Sequence, residues 1–186
     1  MALRPIVLYP NPVLKTPAHP VTAFDGALRS LIDDMAETMY HAKGVGLAAN
    51  QVNVLQRVAV IDVADEGQPA QLLELVNPRI TRFDGKARGQ EGCLSLPKLY
   101  DNVDRATHVT VVFESATGET RELAADGLLA ICLQHEIDHL DGIVFLDRMG
   151  PLARSLAMKR YRKLLDQRLA QAQSQALGAQ ARPRVG

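Results

Sequence analysis

The sequence predicts an α+β fold, and three observations carry that reading. Residues 57–63, 72–76 and 107–114 are β-type runs rich in Val, Ile and Leu, bounded by polar or Gly/Pro-containing connections. Two long helical stretches follow these runs instead of alternating with them, which argues against a doubly wound parallel sheet. The chain has 186 residues, 47% of them hydrophobic, and shows neither an internal repeat nor a linker, so one domain with its own core is expected. Formal charge is zero overall, yet residues 151–186 hold eight Lys or Arg and one acid, Asp166. That asymmetry suggests a body over 1–150 and a basic helix with a frayed tail over 151–186, both within one domain.

Taken in order, residues 1–24 contain five prolines among short apolar runs and read as extended chain laid over a body. Leu28, Leu31, Ile32, Met35 and Met39 then recur at helical spacing, with Asp25 as a candidate N-cap and Gly44 as a stop. Gly44-Val45-Gly46-Leu47-Ala48-Ala49-Asn50-Gln51 follows, a small-residue segment able to approach another backbone closely. It lacks Gly-Lys-Ser/Thr and dinucleotide spacing, so a phosphate loop is disfavoured. Gln51 is a candidate amide donor to a substrate or oxyanion. The two runs at 57–63 and 72–76 flank a polar connection (Asp65, Glu66, Gly67, Pro69), the second leading into Asn77-Pro78. After the 107–114 run, Ala116-Thr117-Gly118-Glu119 turns the chain.

The next helix begins near Asp126-Gly127 and ends at Asp141-Gly142. Leu128, Ile131, Cys132 and His135 share one stripe of it, which is either core or the wall of an apolar pocket. Gly150-Pro151 opens a last helix to about Gln173, with Ala157, Tyr161, Leu164 and Leu165 on one side and Lys159, Arg162 and Lys163 opposite. Such a stripe is either a solvated face or a contact for phosphate-rich RNA. Residues Gln171 to Gly186 are expected to fray.

The chemistry concentrates at His135-Glu136-Ile137-Asp138-His139. A step of four on a helix returns within about 40° and rises about 6 Å, so both imidazoles can close on one metal ion. Glu136 then sits beside them as an acceptor for a proton from water. A catalytic metal usually has three protein ligands and one open position. The peptidase patterns fail here: a third histidine would fall on Phe145, and no glutamate follows Glu136. Asp141 and Asp147 remain as carboxylate alternatives. Cys132 lies about 10.5 Å along the axis from His139, too far to share an ion comfortably. Cys93, in Glu91-Gly92-Cys93-Leu94-Ser95-Leu96-Pro97, arrives from a separate loop and is the preferred third ligand. Two cysteines are too few for a disulfide framework and suit a reducing compartment.

Three segments, Gly-Val-Gly-Leu-Ala-Ala-Asn-Gln, Glu-Gly-Cys-Leu-Ser and Gln-His-Glu-Ile-Asp-His-Leu-Asp-Gly, stand in this order and spacing. Together with Pro10-Asn11-Pro12-Val13-Leu14 and the helix over 24–40, they closely resemble the bacterial peptide deformylases across residues 5–150. The resemblance implies antiparallel sheets packed around the histidine-bearing helix, and removal of the formyl group from N-formylmethionine of nascent proteins. It implies Cys93, His135 and His139 as metal ligands and Glu136 as general base and acid. Gln51 and the backbone N–H of Leu94 would stabilise the oxyanion. Gly46 and Val45 would pair with the peptide, Glu91 would join the substrate-binding residues, and Leu128, Ile131 and Cys132 would line a methionine pocket. The ligand set suits Zn²⁺, Co²⁺ or Ni²⁺ as well as Fe²⁺; the resemblance implies Fe²⁺ in the cell.

Two positions depart from the family pattern. Asn50 stands where Pro or Thr is frequent, and Lys98-Leu99-Tyr100-Asp101-Asn102 follows Pro97 where an acidic residue is frequent. With neither a signal-peptide pattern nor a spanning apolar run, a cytoplasmic protein is expected, with no membrane or DNA partner and the ribosome as a candidate contact of the basic helix. The rival functions are an endopeptidase with an aspartate ligand and a non-catalytic RNA- or ribosome-binding module with a structural metal.

Overall fold

The computed structural model describes residues 2–65 and 67–180, with residues 169–180 as backbone only. The chain falls into two units, 1–149 and 150–186. In the first, helix α1 (Gly26–His41) precedes strands β1 (Gly46–Ala48), β2 (Val58–Ile61), β3 (Leu73–Asp84), β4 (Ala87–Gly92), β5 (Tyr100–Arg105), β6 (His108–Glu114) and β7 (Thr120–Asp126), and helix α2 (Gly127–Leu140) follows. Helix α3 (Pro151–Gln180) forms the second unit. It runs past the expected end near Gln173; residues 181–186, with Glu66, lie outside the described residues.

Five strands form one antiparallel sheet in the order β1-β2-β3-β6-β7, and β4 pairs with β5 as a separate ribbon. Side-chain alternation explains why β2 reads as a continuous apolar run. Val58 and Val60 meet Leu28, Ile32, Met35 and Met39 of α1 on one face. Ala59 and Ile61 meet Leu133, Ile137 and Leu140 of α2 on the other. Both faces of this strand are thus covered by helix. The histidine helix is packed across the sheet as the α+β reading requires.

Local rules account for the element ends. The Asp25 carboxylate accepts from the N–H groups of Ala27 and Leu28, both at 3.0 Å, capping α1. At its other end the left-handed residue is Lys43 (φ 55°) rather than Gly44, and the Gly44 N–H closes the turn on the Met39 carbonyl at 2.9 Å. Strand β3 continues beyond Asn77-Pro78, where the sequence suggested an end. A bulge absorbs the proline, Asn77 takes φ 50°, and its side-chain oxygen accepts from the Val21 N–H at 2.8 Å. β4, β5 and β7, which the sequence did not reveal, are rich in charged residues and Ala, and have one or two inward positions each.

The N-terminal segment is strapped over the body by backbone bonds. Val7 N–H donates to the Gln51 carbonyl (2.7 Å), Tyr9 N–H to Ser95 (2.9 Å) and Ala18 N–H to Leu140 (2.8 Å). Asn50 is fully buried and its amide donates to the Thr16 carbonyl at 2.7 Å, so this departure from the family pattern serves the same strap. No helix of the described residues is long and apolar enough to cross a membrane.

Candidate metal centre and active site

Helix α2 carries two different stripes. Ala130, Leu133, Ile137 and Leu140 face the core. Leu128, Ile131, Cys132 and His135 line a cleft of about 440 Å³, so the stripe left open as core or pocket wall is on the cleft. Leu128 is 54% exposed at the mouth, while Cys132 is buried and its thiol is pushed up to about 12, first by burial.

The donor atoms of Cys93, His135 and His139 lie within 4.8 Å of one another. Cys93 comes from the loop joining β4 to β5, and its Sγ is 3.1 Å from His139 Nε2. The aspartate alternatives are committed elsewhere: Asp141 pairs with Arg57 at 2.6 Å and Asp147 with Lys15 at 2.5 Å. Phe145, at the slot of a third histidine, stacks on the His135 ring with centroids 6.3 Å apart. One soft thiolate and two imidazoles are a donor set for a divalent transition metal. Glu136 Oε2, buried beside these donor atoms and without a partner among the described residues, supports the fit. Orphaned polar atoms at such depth are costly unless something absent from the polypeptide satisfies them.

Burial and then the neighbouring His135 charge hold His139 well below the usual histidine range, leaving it neutral as a ligand must be. Burial would also lower His135, but bonds with Cys93 and Glu91 outweigh it and raise its pKa, so metal uptake there displaces a proton. Glu136 is buried, and that burial pushes its carboxyl up to about 7. A Cβ on Gly46 would overlap Glu136 Oε1, so glycine at this position makes room for the carboxylate.

Gln51 is held by both ends. Its Oε1 accepts from the Ala48 N–H at 2.9 Å, while its Nε2 donates to Ser95 Oγ at 3.1 Å and approaches Cys93 Sγ at 3.5 Å. This amide therefore donates to Ser95 and also faces Cys93. The Leu94 N–H beside Cys93 meets no acceptor among the described residues. Val45 and Gly46 border the cleft at β1, whose outer side is the open edge of the five-stranded sheet.

Glu91 stands at the cleft, with its carboxylate engaged inside the protein. That carboxylate is taken up by Arg105 (Nε at 2.7 Å, Nη2 at 3.0 Å) and by His135 Nδ1 at 2.9 Å. Burial alone would raise its pKa; the His135 and Arg105 bonds instead bring it to about 2. Arg105 also donates to Asp138 at 2.5 Å, and Arg148 closes on the same carboxylate. Arg105 escaped the sequence reading. Its one signal is parity, since it shares the inward register of Val103 on β5.

The profile of the polypeptide deformylase family matches residues 3–155. A peptide deformylase of Acidobacterium capsulatum is 48% identical over 164 residues, covering 88% of this chain and 96% of that protein. One from Alkalilimnicola ehrlichii is 48% identical over 167 residues, covering 90% and 93%. The crystal structure of a peptide deformylase from Legionella pneumophila superposes with a TM-score of 0.84 at 43% identity, covering 90% of this chain and 98% of that one. A loop thiolate meeting two histidines of one helix is thus found within a sequence and a fold shared along nearly the whole body, and the chain belongs to the polypeptide deformylase family.

Proposed function

We propose that this deformylase removes the formyl group from N-formylmethionine of newly made peptides by the following division of labour. Cys93, His135 and His139 hold one divalent metal, which when bound lowers the pKa of a water toward neutrality. Glu136 takes the proton of the attacking water at its orphaned Oε2 and returns it to the departing amine. A buried carboxyl with one oxygen free of other partners is placed for both halves of that task. Gln51 Nε2 and the Leu94 N–H donate to the oxygen that gains charge on the formyl carbon, where loss of one donor costs about 3 kcal/mol. Gly46 and Val45 pair with the peptide backbone along the open edge of β1, as an added strand. Leu128, Ile131 and Cys132 receive the methionine side chain. Glu91 orients His135.

The observation that carries this reading is the unpartnered, buried Glu136 Oε2 beside three converging ligands. Formate released from formyl-Met-Ala by anaerobically prepared, Fe²⁺-loaded protein, with an equal yield of free amine, is the expected result. No formate from metal-replete protein would overturn the reading.

Three finer points belong to the same proposal. Fe²⁺ is the metal in the cell, an assignment supported by the family resemblance, and Zn²⁺, Ni²⁺ or Co²⁺ can replace it in preparations. The enzyme works in the cytoplasm, where formyl-Met peptides emerge. Helix α3, with Lys159, Arg162, Lys163 and Arg168 exposed, contacts the ribosome; binding that weakens steeply with salt would support this.

A further inference from the structure

Gly46 marks the reacting end of the cleft, because its Cα abuts Glu136. Beyond it, Leu47 and Ala48 are fully buried, so a peptide leaving the reaction centre along β1 cannot continue that way. It must run past Val45, Gly44 and Lys43. Lys43 stands in the turn that closes α1, on the cleft rim past Val45 and Gly44, and the third and fourth residues of an extended peptide, about 7–10 Å from a methionine at Gly46, run out toward that rim. The Cys93 loop forms the other rim: a Cβ on Gly44 would come within 2.7 Å of Leu94 Cδ1, and farther along that loop Lys98 also lines the cleft.

Both lysines are exposed and neither has a carboxylate partner among the described residues, unlike Lys15 and Lys86. Both also sit at positive φ, 55° for Lys43 and 65° for Lys98, which fixes the direction in which each side chain leaves the backbone. Lys43 is set there by the end of α1, and Lys98 by the turn in which the Leu99 N–H donates to the Leu96 carbonyl at 3.1 Å. The carboxylates lining the cleft are Glu91 and Glu136. Each is buried, the first spent on Arg105 and His135 and the second placed at the metal ligands. The outer cleft therefore presents two cations and no accessible anion.

We propose that Lys43 and Lys98 form a cationic rim that selects formyl-methionyl peptides with acidic side chains at their third and fourth residues. This rests on the deformylation proposed above and adds a specificity to it. The attraction is between solvent-exposed charges, so it is modest and sensitive to salt.

The test uses the full-length metal-loaded enzyme and three peptides with amidated C-termini, formyl-Met-Ala-Asp-Asp, formyl-Met-Ala-Ser-Ser and formyl-Met-Ala-Lys-Lys, read by formate release. At low salt kcat/KM should fall in that order, with roughly tenfold between the extremes, shrinking to about twofold at 0.5 M NaCl. In the K43E/K98E double variant the Asp-Asp to Lys-Lys ratio should invert. Equal rates on the three peptides at low salt, or a preference that the double variant keeps, would overturn the cationic rim while leaving deformylation intact. If the double variant fails to fold, the salt dependence of the unmodified enzyme decides alone. Formate from none of the three would overturn both readings.

Discussion

Glu91 Oε2 lies 2.9 Å from His135 Nδ1, whereas His139 Nδ1 is buried and has no partner among the described residues. The two histidines of one motif are therefore supported unequally. His135 is oriented by a carboxylate that Arg105 anchors in turn, whereas His139 meets Cys93 through Nε2 and has no such support at Nδ1. A hydrogen bond to the far ring nitrogen fixes the tautomer and raises ligand basicity.

Glu91→Gln should therefore weaken metal affinity by roughly 10–100-fold without unfolding the protein, measured by competition with a chelator. Glu91→Ala should also destabilise the fold by about 3–5 kcal/mol, because it strips a buried guanidinium of one of its two carboxylates. Denaturant titration reads the second effect. Equal metal affinity in all three proteins would remove Glu91 from the positioning of His135.

Glu136→Gln should keep its metal and lose turnover, by roughly 10²–10⁴-fold. Metal analysis beside formate release separates the two. Normal turnover at full metal content would show that the proton passes through another group.

Gly46→Ala tests the close approach of β1 to α2. The added Cβ would overlap Glu136 Oε1, and a displacement of about 1 Å in a catalytic group costs roughly 10²-fold in rate. Metal content should stay normal, since none of the three ligands is touched. Gly26→Ala, where a Cβ meets nothing within 4 Å, should leave turnover unchanged and serves as the control.

The two cysteines should separate cleanly. Cys93→Ala should lose the metal and Cys132→Ala should retain it, as elemental analysis after gel filtration would show. In metal-free protein at pH 8, alkylation should reach Cys93 and spare Cys132, whose buried thiol is pushed up to about 12. Labelling of both at equal rates would contradict this placement.

A pH effect is expected away from the metal. Tyr40 donates to Asp62 at 2.7 Å, and burial together with that bond raises the phenol to about 12. The folded form thus holds the phenolic proton more tightly than the unfolded chain, whose tyrosine titrates near 10. This contribution to stability is complete below about pH 10 and is lost as the pH rises toward 12. Denaturation midpoints between pH 8 and 11.5 should fall less in Tyr40→Phe than in the unmodified protein. Parallel curves would show that the bond carries no such linkage.

Much of the site was legible because it obeys local rules. Helical spacing alone places His135 and His139 on one face, and the failure of both common peptidase patterns favours the Cys93 loop over the remaining aspartates, Asp141 and Asp147. The extent of α2 and the cap at Asp25 follow from residues adjacent in sequence. Other features were illegible because they arise from partners distant along the chain. Strands β4 and β5 carry few apolar residues and gain their backbone bonds from each other. The Lys43 stop and the bulge at Asn77 depend on conformations that glycine usually takes, here enforced by surrounding contacts.

The sequence by itself determined the class of fold and the two histidines on one helix face, since periodicity suffices for those, while Cys93 as third ligand and Glu136 as base and acid drew also on the family resemblance. Only the tertiary structure decided what Glu91 does, that Arg105 is buried between two carboxylates, and that Lys43 and Lys98 share one cleft. The physical reason is that burial and pairing are properties of three-dimensional neighbours. A carboxylate beside a glycine reads the same in sequence whether it meets a substrate or, as here, an arginine and a histidine 14 and 44 residues away.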